Sequence, residues 1–238
     1  MKIAIIGYGK MGKKIEEIAR ERGHQIVSII DINNFNDIFS EKFASADVAL
    51  EFTIPQMAEK NIRAAWQQNV RIVSGTTSWN EQLDILKNEL QNNDNTLFWA
   101  PNFSLGVNIF FEINKKLAKI INSFRQYEVS ITEIHHTQKK DAPSGTAISL
   151  ANLILENIER KTIWTLSPEE DENSIEIQAI RQGEVAGTHI VEYDSLQDTI
   201  TLTHEAKGRD GFALGAVLAA EFVQNKKGFF TMEDLLKF

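Results

Sequence analysis

The apolar positions of this chain change period along its length, and each change marks an element. Lys2–Ile6 (KIAII) is a short, β-branched apolar run of the kind a buried strand needs. Residues 13–22 then space Ile15, Ile18 and Ala19 along one helical face, and Gly23 stands where that helix would end. A second apolar run, Gln25–Ile30, closes on Asp31. The alternation continues with strands over 47–52, Arg71–Ser74 and 96–100, and helices over 56–68 and Asn80–Leu90. Strands that alternate with helices predict a doubly wound parallel sheet.

After a long helix predicted over 106–123, apolar at Val107, Phe110, Phe111, Ile113, Leu117, Ile120 and Ile121, the rhythm is different. A strand over 127–134 and a helix over 147–157 are followed by three consecutive strands, Ser174–Arg181, 188–193 and Thr199–Glu205. So little helix among them predicts a mixed or antiparallel sheet covered on one face, hence an α+β domain. The acidic stretch 167–173 reads as a surface loop. The helix over 212–223, FALGAVLAAEFV, is rich in small residues and is expected to pack back on the first domain. The expected organisation is a first domain over 1–104, a second over 105–208, and a return to the first over 209–238.

Composition narrows the function classes. With 238 residues, 42% of them hydrophobic, the chain can bury sizeable cores. Its formal charge, 25 minus 33 or −8, argues against nucleic acid or an acidic membrane surface as partner. The absence of cysteine excludes disulfides, thiolate catalysis and cysteine-ligated zinc. No apolar run is long enough for a secretion signal or a membrane span, so a soluble cytoplasmic protein is the default expectation.

Between the first predicted strand and helix lies Gly7-Tyr8-Gly9-Lys10-Met11-Gly12, a G-x-G-x-x-G loop, and Asp31 follows the next strand, 19 residues after Gly12. Strand, glycine loop, helix, strand and acid make up the Rossmann-like dinucleotide-binding unit. Gly7 permits the turn, Gly9 lets the backbone approach a pyrophosphate, and Gly12 lets helix and strand pack closely. Asp31 is placed to accept hydrogen bonds from the adenosine ribose. Ile32, where an arginine could grip a 2′-phosphate, favours NADH over NADPH, although Lys10 could still reach such a phosphate. Phe52-Thr53 and Gly75-Thr76-Thr77 end strands and therefore lie on the cofactor edge of the sheet.

The stretch Glu133 to Ala147, EIHHTQKKDAPSGTA, gathers two histidines and two lysines in front of a helix start. In an extended segment His135 and His136 face opposite sides, which makes them poor joint ligands, and no metal is expected. Ser144, Gly145 and Thr146 open a helix with free N–H groups and two hydroxyls, and Lys139 adds a full positive charge. A carboxylate fits such a nest, and one of the histidines can serve as general acid beside it.

This stretch, H-H-x-x-K-x-D-A-P-S-G-T at its core, resembles the signature of the dihydrodipicolinate (4-hydroxy-tetrahydrodipicolinate) reductase family. The resemblance extends along nearly the whole chain. It includes the glycine loop with Lys10-Met11-Gly12, Phe52-Thr53, Gly75-Thr76-Thr77, Ala100-Pro101-Asn102-Phe103-Ser104, Arg181-Gln182-Gly183 and the run from Gly208 to Ala216. The resemblance implies cofactor contacts at Gly7, Gly9, Lys10, Met11, Gly12 and Asp31, and at Phe52, Thr53, Gly75, Thr76, Thr77, Ala100, Pro101, Asn102 and Phe103. It implies His135 as proton donor with Lys139 as catalytic partner, and His136, Lys139, Ser144, Gly145 and Thr146 as holders of the substrate's carboxylates. The implied reaction, in the diaminopimelate route to lysine, is loss of water from a cyclic hydroxy dicarboxylate, then reduction by NADH or NADPH. The implied assembly is a homotetramer built through the second domain's sheet. The glycine loop is one residue shorter than in many members. Two rivals remain: another two-domain NAD(P)-dependent dehydrogenase, which has no need of the His135-to-Thr146 core, and a dinucleotide sensor without catalysis.

Overall fold

The structure is a computed structural model that describes residues 1–91, 93–168 and 171–237. The chain divides into two compact units, Met1–Leu105 with Arg209–Phe238, and Gly106–Gly208.

The first unit is built on a six-stranded, wholly parallel sheet. Its strands are β1 (Lys2–Ile6), β2 (Gln25–Ile30), β3 (Val48–Glu51), β4 (Arg71–Ser74), β5 (Thr96–Trp99) and β11 (Gly228–Phe230), in the order β11-β5-β4-β3-β1-β2. Chain order reverses between β1 and β3, a topological switch point of the kind at which such sheets bind ligands. Helices α3 (Pro55–Gln67) and α4 (Asn80–Leu90) supply Ala58, Ile62, Leu83 and Leu86 to one core. On the opposite core, α1 (Lys10–Glu21) meets α7 (Asp210–Val223) through Ile15, Ala19, Ala216 and Ala220. The small residues of α7 have a steric cause: a Cβ on Gly215 would lie 1.8 Å from the carbonyl oxygen of Phe103.

Helix α1 starts three residues before the predicted position, with Gly9 as its N-cap and Gly12 inside it. At its other end, Gly23 (φ +80°) and His24 donate to the carbonyls of Arg20 and Ala19, a Schellman cap. Short elements escaped the periodic reading: a 3₁₀ turn at Phe35–Phe39, α2 (Glu41–Ala44), β11, and α8 (Met232–Leu236).

The second unit carries a five-stranded mixed sheet in the order β10-β9-β6-β8-β7. These strands are β6 (Glu128–His135), β7 (Ile163–Leu166), β8 (Ser174–Arg181), β9 (Thr188–Asp194) and β10 (Thr199–Glu205). β6 runs parallel to β8 and antiparallel to β9. Helices α5 (Leu105–Ile121) and α6 (Gly145–Leu155) bring Phe110, Ala118, Leu150 and Ile154 to a core with Val129, Ile131, Ile177 and Val191. Strand alternation sends Thr132, Gln178, Thr201 and Thr203 to the other face, where they are half-buried or exposed. β7 was not foreseen, and the loop expected over 167–173 includes residues 169 and 170, which lie outside the described residues.

Candidate active site

The switch point of the first unit opens into a cleft of about 660 Å³, lined among others by Gly7, Gly9, Asp31, Phe52, Thr53 and Lys60. Gly7 (φ +93°) makes the turn out of β1, where a Cβ would meet the Phe52 carbonyl oxygen at 2.3 Å. Gly12 presses α1 onto this turn, since its own Cβ would lie 2.1 Å from the Gly7 oxygen. Gly9 differs: a Cβ there would meet nothing within 4 Å, and α1 has no side-chain N-cap. The open space in front of uncapped N–H groups fits a pyrophosphate. Lys10 is exposed and Met11 half-buried in the same first turn. Asp31 holds its own turn by accepting from the Ile32 N–H, and Ile32 is 87% exposed. Lys60, which sequence reasoning missed, sits in this cleft with its ammonium 4.2 Å from the centre of the Phe35 ring.

The other expected cofactor segments fall into two kinds. Thr53 lines the cleft, Thr77 and Pro101 are exposed, and Gly75 and Asn102 are half-buried. Thr76, Ala100 and Phe103 instead turn their side chains into the core. The Phe103 ring packs 5.5 Å from that of Phe52 and 5.7 Å from that of Phe98. A Cβ on Gly75 would collide with the Phe52 ring at 2.1 Å, so Gly75 is there to admit that ring.

In the second unit, residues two apart on β6 share a face, and Glu133 and His135 both point inward. His135 Nδ1 lies 2.8 Å from Glu133 Oε2. The other oxygen, Oε1, accepts from the Ser144 backbone N–H at 3.0 Å and from the Arg181 guanidinium at 2.9 Å. Register explains how distant residues arrive here: β9 sets His189 beside Glu133, and β8 sets Arg181 beside His135. His189 packs edge-on to His135, with ring centres 5.1 Å apart. A Cβ on Gly187 would lie 3.0 Å from His135 Nε2, so glycine keeps that nitrogen uncovered.

Helix α6 starts at Gly145 as anticipated in kind, but Ser144 departs from the expected open hydroxyl. It is buried, accepts from the Ala147 N–H and lies 3.1 Å from His189 Nε2. Its role is to cap the helix, which leaves the N–H groups of Gly145 and Thr146 as the open donors of the first turn. His136 is half-buried beside the fully turned-in His135. Lys139 pairs with Asp141 at 2.8 Å, a partnership not foreseen.

Burial pushes the His135 imidazole below its ordinary value, Glu133 opposes that, and Lys139 and Arg181 add to it. His189 is pushed down to about 4, chiefly by burial and then by His135. For Glu133, burial acts upward but is outweighed by the Ser144 and Arg181 hydrogen bonds and by His135, which leave the carboxyl low. A buried carboxylate thus stands behind a histidine whose far nitrogen is free, the arrangement of an oriented proton donor. Among the described residues Glu133, His135 and His189 also form a group whose ligand atoms lie within 4.8 Å of one another. The sequence reading weighed only His135 with His136 and could not foresee this third side chain from β9.

Comparison with known proteins agrees along the whole chain. A family model described as "Dihydrodipicolinate reductase, N-terminus" matches residues 1–103, and its counterpart "Dihydrodipicolinate reductase, C-terminus" matches residues 106–236. The chain is 47% identical over 236 residues to the 4-hydroxy-tetrahydrodipicolinate reductase of Christiangramia forsetii, covering 99% of this chain and 98% of that protein. It is 35% identical over 263 residues to the Archaeoglobus fulgidus enzyme of the same name, covering 100% of both. Among solved structures, a dipicolinate-bound dihydrodipicolinate reductase from Paenisporosarcina sp. TG-14 superposes with a TM-score of 0.77 at 25% identity over 97% of each chain. A meso-diaminopimelate dehydrogenase variant from Clostridium tetani shares the fold alone, with a TM-score of 0.56 at 12% identity over 98% of this chain and 94% of that one.

Proposed function

Because the chain belongs to the dihydrodipicolinate reductase family of NAD(P)H-dependent oxidoreductases, we propose that it reduces 4-hydroxy-tetrahydrodipicolinate to tetrahydrodipicolinate, a step towards diaminopimelate and lysine. The observation that carries this reading is the Glu133–His135 pair beside the open N-terminus of α6. A dianionic ring needs fixed positive charge and N–H donors. The Gly145 and Thr146 N–H groups receive one carboxylate, and Lys139 and His136 meet the negative charge of the substrate. That carboxylate competes with Asp141 for Lys139.

A bound nicotinamide supplies the hydride that the ring accepts after loss of water. This chain supplies the proton. With Nδ1 2.8 Å from the Glu133 carboxylate, an ion-pair contact without hydrogen-bond alignment, His135 presents Nε2 outward, and the protonated ring donates from Nε2 to the enamine left by hydride addition. In the first unit, Gly9 and the first turn of α1 hold the pyrophosphate, while Asp31 takes the ribose hydroxyls. Asp31 followed by Ile32 favours NADH, and Lys60 provides a cation in the same cleft for the extra phosphate of NADPH. The proposed working form is a cytoplasmic homotetramer assembled through the open face of the second sheet. Among the described residues no helix is long and apolar enough to cross a membrane.

The test is a coupled assay: freshly condensed pyruvate and aspartate semialdehyde, with NADH or NADPH followed by absorbance. Enzyme-dependent oxidation that dipicolinate inhibits is the expected result. Cofactor binding without oxidation, and without any response to dipicolinate, would move the chain to the other dehydrogenases or to a sensor.

A further inference from the structure

A second buried carboxylate lies outside the proton-donor site. Glu51, the last residue of β3, is 0% exposed, and among the described residues no cation pairs with it. Its Oε1 accepts from the hydroxyls of Thr53 and Thr76 and, at 3.3 Å, from the Asn61 side-chain amide. Its Oε2 accepts from the Ser74 hydroxyl at 2.6 Å. The two threonine hydroxyls accept elsewhere and are free to donate here. Thr53 Oγ1 also receives the Asn61 amide at 3.1 Å, and Thr76 Oγ1 receives the Thr53 N–H at 3.0 Å. Each of these two hydroxyls has its own proton to give to Glu51, as the Ser74 hydroxyl has. Four donors fill the acceptor positions of an ionised carboxylate, which has no proton to give in return.

A lone charge in a low-dielectric interior is costly unless hydrogen bonds satisfy it, and here hydroxyls and an amide do so without cancelling it. The field of such a charge reaches its surroundings weakly screened. Two of the four donors, Thr53 and Asn61, also line the cleft at the switch point, so the carboxylate lies one hydrogen bond behind the cleft wall. The other two belong to β4 and the turn that follows it.

We propose that Glu51 is an electrostatic positioning residue, whose charge favours the oxidised over the reduced dinucleotide and so eases departure of the hydride. The inference rests on the dinucleotide reading of the cleft. Oxidation of the dinucleotide by loss of hydride removes one unit of negative charge from it, in whatever pose it is held. A fixed anion behind the wall consequently stabilises the oxidised form relative to the reduced one. Glu51 acts through its field and through Thr53 and Thr76, and it touches no reacting atom.

The experiment is binding without substrate. Dissociation constants for NADH by fluorescence, and for NAD⁺ by its displacement of NADH, are measured for the wild type, Glu51→Gln and Ser74→Ala. In Glu51→Gln the ratio of the NAD⁺ constant to the NADH constant rises about tenfold, the scale of one unit charge acting over roughly 10 Å. Ser74→Ala strips the donor from Oε2 but keeps the charge, and its ratio stays at the wild-type value. Parallel weakening of both forms in Glu51→Gln would make Glu51 a structural residue only. A shifted ratio in Ser74→Ala would assign the effect to hydrogen-bond geometry instead of charge, and that test stands even where Glu51→Gln fails to fold. A wild type that binds neither form overturns the dinucleotide reading itself, a different failure from either of these.

Discussion

Replacing Glu133 by glutamine changes one atom of the proton-donor site, and the structure fixes how the new carboxamide must sit. Both the Ser144 N–H and the Arg181 guanidinium donate to Oε1, so an oxygen has to stay at that position. The amide NH₂ then faces His135 Nδ1, where Oε2 had been 2.8 Å away. A donor there forces Nδ1 to accept, which selects the wrong tautomer and opposes the imidazolium that must give up a proton from Nε2. Loss of the carboxylate also removes the interaction that holds the His135 pKa up against burial. We expect kcat to fall by about 10²- to 10⁴-fold, the range in which misoriented catalytic histidines fall. KM for the dicarboxylate should move little, because Ser144 and Arg181 keep their acceptor and the start of α6 keeps its place. In the proposed mechanism His135 acts protonated, so activity should decline as pH rises through its pKa, and the variant's limb should lie at lower pH. The assay is steady-state oxidation of NADH across pH 5 to 9, with thermal melting as a control. Unchanged kcat with the pH limb in place would remove Glu133 from the mechanism. A fall in kcat explained by unfolding alone would reduce it to a structural carboxylate.

Four further outcomes follow from the same geometry. His135→Gln should lower kcat by about 10²-fold or more while NADH affinity stays near wild type, and turnover that survives would assign the proton to another group. Lys139→Ala should raise KM and lower kcat together, because a charge facing a carboxylate is lost, whereas a change in melting temperature alone would leave Lys139 as a surface partner of Asp141. Lys60→Ala should weaken NADPH more than NADH, read as the ratio of their kcat/KM values, and an unchanged ratio would place the extra phosphate elsewhere. Stability should depend on pH through His189, whose folded pKa of about 4 lies below its ordinary 6.5. The unfolded chain binds a proton that the fold refuses, so stability is full above about pH 6.5 and is lost as pH falls towards 4, by roughly 3 kcal/mol. Denaturant unfolding at pH 7 and pH 4.5 checks this, and His189→Gln should narrow the difference.

Much of the sheet architecture was legible because burial imposes a period on the sequence. Arg71–Ser74, Asn80–Leu90 and Ser174–Arg181 fall where the apolar rhythm placed them. The start of α1 was less legible, since N-capping by Gly9 depends on backbone geometry, and the apolar spacing begins only inside the helix. β11, three residues long, and β7 have no fully buried residue, so neither carries the buried apolar run that marked β4. At the candidate active site, His135 and Lys139 stood out because charge and a helix start cluster around them. Glu133, Arg181 and His189 each belong to an alternating strand and read as ordinary strand residues. Only the register of β6 with β8 and β9 brings them together, and register is a tertiary fact.

The two buried carboxylates, Glu51 and Glu133, show why such residues are hard to read and useful to the fold. Glu51 ends β3 and Glu133 stands two residues before the end of β6, positions where an acid ordinarily marks a solvated turn. Here both face inward and both collect donors from separate segments: Thr53, Asn61, Ser74 and Thr76 in one unit, and Ser144 and Arg181 in the other, where His135 adds an ion-pair contact. Loops after strands cannot be ordered by apolar packing alone, because their polar groups need partners of defined direction. A carboxylate offers about four acceptor positions on two atoms, so it can fix several segments at once. An apolar side chain of equal volume would fill the space and leave every donor unpaired, at a cost of about 1–3 kcal/mol for each buried group. In the roles proposed for them, the charge that makes these hubs expensive to bury is also what would let them act on chemistry, Glu133 on the tautomer of His135 and Glu51 on the charge balance of the cleft.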